Sequence, residues 1–149
     1  MKNSKFIIQK SKLNGDVDLS GSKVSAITSV IASILTKEKL SLHNFPKSST
    51  DVLLSINFIE KLGKKCTFNN NSLKINETTI LKSKIEDYEE SIRFTPLILA
   101  AILIRNGKGK VPLPGGCEIG NRKIDVYNYI FRKFGATFYK KNRHLHGEV

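Results

Sequence analysis

The stretch Pro112-Leu-Pro-Gly-Gly-Cys-Glu-Ile-Gly-Asn-Arg-Lys-Ile-Asp125 holds the residues best suited to chemistry. Two prolines and two glycines set a tight loop ahead of Cys117, with Arg122 and Asp125 following. Gly115 and Gly116 permit positive φ and close approach of the backbone to a ligand, which would display Cys117 at a loop tip. A thiol there, beside a guanidinium and a helix N-terminus, is a candidate acid or nucleophile with a tuned pKa. The same residues equally fit a plain turn with Cys117 as a small hydrophobe behind it.

Two further cations stand where anions bind. Ser20-Gly-Ser22 precedes apolar residues at 27, 30, 31, 34 and 35, a helical spacing. With Ser22 or Ser20 as cap, Lys23 falls in the first turn, where the helix dipole disfavours a cation unless an anion lies between it and the free N–H groups. A solvated surface lysine is the plain alternative. Arg93 lies at the N-terminal end of an apolar helix spanning 97–104, and its partner is either a ligand anion or Glu89 or Glu90.

The elements that position these residues follow from periodicity and turn chemistry. Strands are expected at 5–9 and 16–20 around an Asn14-Gly15 hairpin turn, then at 40–43. A helix opens at Ser49-Thr-Asp51 and closes on Gly63, followed by a hairpin at 65–75 in which Cys66 is a core residue. Residues 76–88 read as a polar crossing loop. Thr95-Pro96 suggests an N-cap followed by proline, opening a helix apolar on every side; the alternative is a helix from near Glu89, kinked at Pro96. Gly107 ends it, a last helix runs over 123–134, and a hairpin over 136–146 closes the chain. Leu62-Gly63, the strand at 66–68 and Leu73 recur 72 residues later as Phe134-Gly135, 137–139 and Leu145. Two units (about 20–76 and 89–147) of helix, strand, helix, strand, strand therefore imply one α/β domain, preceded by a hairpin over 1–19. The 97–104 helix is expected at its centre.

The chain has 149 residues, 40% apolar and 26% charged, enough for one globular domain with a core. No apolar run approaches a bilayer span, and Met1-Lys-Asn-Ser does not begin a secretory leader, so a reducing cytoplasmic setting is expected for its two cysteines. The net charge of +12 favours anionic partners, nucleic acid or phosphorylated metabolites. No aromatics interleaved on a basic strand face are evident, and nucleic acid is not expected as a partner. His144 and His146 share a strand face, but zinc would want further ligands at suitable spacing.

Leu113-Pro-Gly-Gly-Cys-Glu-Ile-Gly-Asn-Arg122 with Ile-Asp125 resembles the cysteine loop of the UDP-N-acetylglucosamine 1-carboxyvinyltransferases, members of the enolpyruvyl transferases. Ser20-Gly-Ser-Lys23 resembles their substrate-lysine motif. Asn44-Phe-Pro-Lys, Asp51-Val, Leu62-Gly63 and Arg93 fall in the family's order, so the resemblance covers the chain from first strand to last. It implies an α/β (α+β) fold of inside-out barrel-type βαβαββ-like units. It also implies transfer of the enolpyruvyl group of phosphoenolpyruvate to the 3-hydroxyl of UDP-N-acetylglucosamine, in peptidoglycan synthesis. Cys117 would be the general acid, with Lys23 sharing the catalytic role. Lys23, Arg93, Arg122 and Asp125 would bind substrate, with no metal or cofactor. Val24, Lys123 and Tyr127 stand where the family carries asparagine, proline and histidine, on the nucleotide-sugar side of the site. The family is longer, with its site in a cleft between two domains, so this chain resembles an N-terminal portion that a second chain would complete. The alternatives are a truncated relative that binds a nucleotide-sugar or protein partner without chemistry, and a basic nucleic-acid-binding module.

Overall fold

The computed structural model describes residues 5–115 and 124–149. Its first unit comprises helix α1 (Lys23–Ala32), a 3-10 turn (Ser33–Leu35), strand β1 (Leu40–His43), helix α2 (Thr50–Lys61) and strands β2 (Lys64–Asn69) and β3 (Ser72–Glu77). The second repeats that order with α3 (Thr95–Asn106), β4 (Lys108–Pro112), α4 (Asp125–Lys133), β5 (Thr137–Lys141) and β6 (His144–Glu148). Each unit forms a three-stranded antiparallel sheet with its last strand in the middle, ordered β1-β3-β2 and β4-β6-β5. The repeat read from Leu62-Gly63 and Phe134-Gly135 is thus a structural one, and the class is α/β.

The core lies between helices and sheets. α3 is its spine: Ile98, Leu99, Ala101, Ile102 and Leu103 are buried, whereas Ile104 faces solvent. It begins one residue earlier than the proline rule suggests. Phe94 occupies the cap, Thr95 the first helical position, and the buried Thr95 hydroxyl has no hydrogen-bond partner among the described residues. Gly107 closes the helix in the left-handed conformation. α1 packs on both α2 and α3, and Ile27, Val30, Ile31 and Ile34 supply its inward face.

Among the described residues the expected N-terminal hairpin does not form. Residues 5–19 form no strand, and Phe6, Ile7 and Ile8 are about nine-tenths exposed (93%, 88% and 91%). A strand needs a partner for its N–H and C=O groups and an apolar surface for alternate side chains, and the described part of the chain offers this segment neither. A second difference separates the two units. Phe58 and Leu62 of α2 are buried, and the following segment hydrogen-bonds over the helix end, with Lys82 N donating to Leu62 O at 2.8 Å and Thr78 N to Gly63 O at 3.2 Å. Their counterparts on α4, Ile130 and Phe134, are 44% and 80% exposed, and Val126 and Tyr129 extend the same apolar face.

The crossing loop is more ordered than its polarity suggests. Lys84 forms a parallel bridge with Lys110, and Ile85 N donates to Lys110 O at 2.8 Å, so 83–85 lies against β4 as an additional edge. This brings Tyr88 against the β6 histidines and overturns the expectation that no aromatics interleave a basic strand face.

The two units are pinned by a buried carboxylate. Glu77, on the last residue of β3, pairs with Lys64 Nζ at 2.8 Å and with Arg105 Nη2 of α3 at 2.9 Å. Lys64 Nζ also donates to Thr36 O (2.6 Å), and Arg105 Nη1 to Ile34 O (2.7 Å). The Arg105 guanidinium first, and then Lys64, outweigh burial and hold the Glu77 carboxyl below its usual range. A lowered carboxylate pKa stabilises the fold above the unfolded value near 4.5, and that contribution is lost as pH falls through the folded value. Glu77→Gln, which strands a buried lysine, is expected to cost about 3–5 kcal/mol in urea unfolding and to flatten the acid limb of stability against pH. Unchanged stability and an unchanged acid limb would remove Glu77 from this role.

Candidate active site

The residues singled out for chemistry share a structural address. Lys23 is the first residue of α1, Asp125 the first of α4, and Arg93 lies two residues ahead of α3. To these the structure adds Asp51, in the first turn of α2. Helix N-termini present unbonded N–H groups and a partial positive charge, so each position is suited to an anion or a carboxylate.

α1 starts where expected, with Ser22 as cap accepting from Ser25 N at 3.4 Å. The turn ahead of it is fixed by glycine: a Cβ on Gly21 would lie 1.9 Å from Asn44 O. That contact holds the α1 start against the 44–46 loop. Lys23 Nζ donates to Asp51 Oδ2 at 2.8 Å, with both side chains about half exposed. The ion pair is thus neither a free cation nor a buried lock. Asp51 is well placed at its own helix start, where the dipole favours a carboxylate, and it holds the lysine over the two helix ends. Sequence reading placed Asp51 in a helix opening but not in the site; the signal it lacked was the packing of α1 on α2. Next to this pair runs a groove of about 310 Å³ lined by Ser22, Ser25, Ser29, Ser41, His43 and Asn44 among others.

Arg93 is exposed, and among the described residues no carboxylate pairs with it, so of the two alternatives the bridge to Glu89 or Glu90 does not form. Its guanidinium instead lies over the Phe94 ring, 5.5 Å from the centroid, leaving its N–H donors available.

Cys117 and Arg122 lie outside the described residues, but the stem of their loop does not. Ser91 Oγ donates to Leu113 O at 2.6 Å, and Gly115 N donates to Ile92 O at 3.3 Å. A Cβ on Gly115 would lie 2.6 Å from Ser91 O. Glycine here serves close backbone approach, while positive φ, the other reason for a glycine, is not used at this position. The stem is therefore tied to the residues immediately preceding Arg93. Among the described residues no group of three or more His, Cys, Asp or Glu side chains is arranged around a metal ion, and no helix is long and apolar enough to cross a membrane.

Superposition sets the class: this α/β chain has the enolpyruvyl-transferase fold. The structure of the enolpyruvyl transferase NikO from Streptomyces tendae superposes with a TM-score of 0.72 at 16% identity, over 92% of this chain and 30% of that one. The EPSP synthase (3-phosphoshikimate 1-carboxyvinyltransferase) family matches residues 7–146, and the chain belongs to that family. Among curated relatives, the UDP-N-acetylglucosamine 1-carboxyvinyltransferase of Buchnera aphidicola subsp. Baizongia pistaciae is 38% identical over 138 residues, 92% of this chain and 33% of that protein. The enzyme of the same name from Campylobacter jejuni (strain RM1221) is 36% identical over 135 residues, 89% of this chain and 32% of that protein. The chain spans about a third of the length of these relatives.

The other thiol is chemically quiet. Cys66 is half-buried on β2, and burial, with a smaller push from Glu60, raises its pKa to about 12. At pH 8 it is therefore a thiol rather than a nucleophilic thiolate. Native protein is expected to react with one equivalent of a thiol reagent and denatured protein with two; native Cys117→Ser is expected to react with none. Labelling of Cys66 in that native variant would contradict this assignment.

Proposed function

We propose that the chain is the N-terminal portion of an enolpyruvyl transferase acting on phosphoenolpyruvate and UDP-N-acetylglucosamine, completed by a second chain or domain that closes the site. The observation that carries this reading is the loop stem fixed on Ser91 and Ile92, next to an exposed Arg93 that pairs with no carboxylate among the described residues. In this reading Cys117 gives its proton to the methylene carbon of phosphoenolpyruvate as the sugar 3-hydroxyl adds to the neighbouring carbon. The new methyl group then returns a proton to the Cys117 thiolate as phosphate departs with the proton of the 3-hydroxyl, which restores the double bond. Lys23, Arg93 and Arg122 bind the phosphate and carboxylate, stabilising charge as it moves. Asp51 holds Lys23 until the substrate anion takes its place, and Asp125 lies on the nucleotide-sugar side. Cytoplasmic peptidoglycan synthesis is the corresponding setting.

The exposed apolar residues of 5–19 and of α4 support the second half of the proposal. Both are surfaces that a remaining portion would cover, consistent with a chain a third the length of its relatives. The same shortness favours a second reading, a relative that binds a nucleotide-sugar or a protein partner without turnover.

Phosphate release from the two substrates, assayed with and without a polypeptide carrying the remaining portion of a relative, separates these readings. Release is expected only with both polypeptides present. Lys23→Ala and Arg93→Ala should each reduce it by roughly 10²–10³-fold. Ligand-induced thermal stabilisation without release under any condition would select the binding-only reading.

A further inference from the structure

The outer faces of the two sheets occupy equivalent positions in the repeat yet carry different chemistry. Side chains alternate across a strand, so the core-facing residues fix the rest. In the second sheet, Val111, Phe138 and Leu145 are buried, and a Cβ on Gly147 would lie within 3.3 Å of Leu103 and Leu99. Lys108, Lys110, Tyr139, Lys141, His144, His146 and Glu148 therefore face outward. In the first sheet, Leu73 and Ile75 face inward and the corresponding outer face holds Ser41, His43, Lys65, Thr67, Lys74 and Asn76, with the His43 ring against Ser72 Oγ at 3.0 Å in place of a row of rings.

Four rings follow one another across the second outer face. Tyr88 meets His144 edge-on at 5.3 Å, His144 meets His146 at 6.4 Å, and Tyr139 stacks on His146 at 5.0 Å with an interplanar angle of 9°. Tyr88 is locked in place by its hydroxyl, which donates to Arg143 O at 2.8 Å. Burial first, and neighbouring cations after it, lower the His146 pKa, which makes it an uncharged ring at neutral pH. Tyr139 remains 52% exposed and offers a ring to solvent. Lys84, Lys108 and Lys110 line a groove of about 280 Å³ on one side of the rings, together with Tyr139 and His146. On the β5 side Lys141 pairs across the strands with His144, and the Arg143 guanidinium lies 6.0 Å from the Tyr88 ring centroid. Two carboxylates share the face: Glu86, which pairs with Lys110 at 3.1 Å, and Glu148 at its end.

We propose that this outer face binds single-stranded nucleic acid, with bases stacking on Tyr139 and the neighbouring rings and phosphates running along the flanking lysines and Arg143. Aromatic platforms edged by cations are the general means of holding unpaired strands without sequence preference. The cations lie on both sides of a row of rings that crosses from the 83–88 segment over β6 to β5. One mononucleotide cannot reach them all, whereas a strand with regularly spaced phosphates can. The overall charge of +12 adds long-range attraction. This surface is independent of the enolpyruvyl-transfer reading, and either can fail without the other.

The test is fluorescence anisotropy of a labelled oligouridylate 12-mer with the full chain across a salt series, alongside a duplex of equal length and free UMP. Expected is salt-dependent binding of the single strand, tighter than of duplex, with UMP a poor competitor. Tyr139→Val keeps a strand-favouring residue and should weaken binding about ten-fold or more; Tyr139→Phe should retain it. Lys84→Gln and Lys141→Gln should each lower the slope of log affinity against log salt by about 0.7. Lys65→Gln with Lys74→Gln, on the other sheet, should change neither affinity nor slope beyond what lost net charge causes. Duplex bound as well as single strand, or Tyr139→Val binding as wild type, would mean charge attraction alone and overturn the proposal, as would no binding at low salt. UMP competing as well as the 12-mer would overturn the polymeric ligand.

Discussion

A single buried carboxylate holds the architecture together. Glu77 ends the middle strand of the first sheet, and the two cations it binds come from β2 and from the central helix of the second unit. Each cation makes a further bond to a carbonyl at the end of the α1 segment, so the charges leave few unmet valences. A buried ion group of this kind adds little net stability over apolar packing, because desolvation offsets most of the attraction. What it supplies is register: the second unit is fixed on the first through Arg105 as well as through apolar contact along α3. The helix starts that carry Lys23, Asp51 and Arg93 are positioned on that frame.

Repetition accounts for the recurrence of charged residues at helix starts. Each unit offers two helix N-termini, and the chain has placed a charged residue at or just before every one. In the first unit the charges meet as an exposed ion pair of Lys23 and Asp51; ahead of α3, Arg93 is left without a carboxylate among the described residues. The repeat also shows what is uncovered. Leu62 and Phe134 are counterparts, and one lies beneath the 78–82 segment while the other faces solvent. The apolar face of α4 is left uncovered by the described residues.

Most of the element order was legible because it rests on local rules. Ser22 capping α1, Gly107 closing α3, and the hairpins at 64–77 and 137–148 depend on nearby residues and on periodicity. The misreadings share one cause, dependence on distant contacts. Residues 5–19 alternate like a strand, but alternation does not supply a partner. Residues 83–88 read as a polar loop, yet β4 gives 83–85 an edge to lie on. The Lys23–Asp51 pair and the contact of Tyr88 with His144 join residues far apart in sequence, and only the fold reveals them. The cysteine loop was legible as a motif, through Pro-Gly-Gly-Cys and its downstream arginine. Its anchoring on Ser91 and Ile92 was not.

The central claim is that the loop thiol shares an anion-binding pocket with Lys23 and Arg93. Its most direct test compares alkylation rates of Cys117 by iodoacetate and iodoacetamide, reagents of similar reach that differ in charge. The account predicts that the iodoacetate-to-iodoacetamide ratio exceeds that of a simple cysteine peptide, falls as salt rises, and drops in both Lys23→Ala and Arg93→Ala. A ratio equal to the peptide's, and unchanged in both variants, would contradict it.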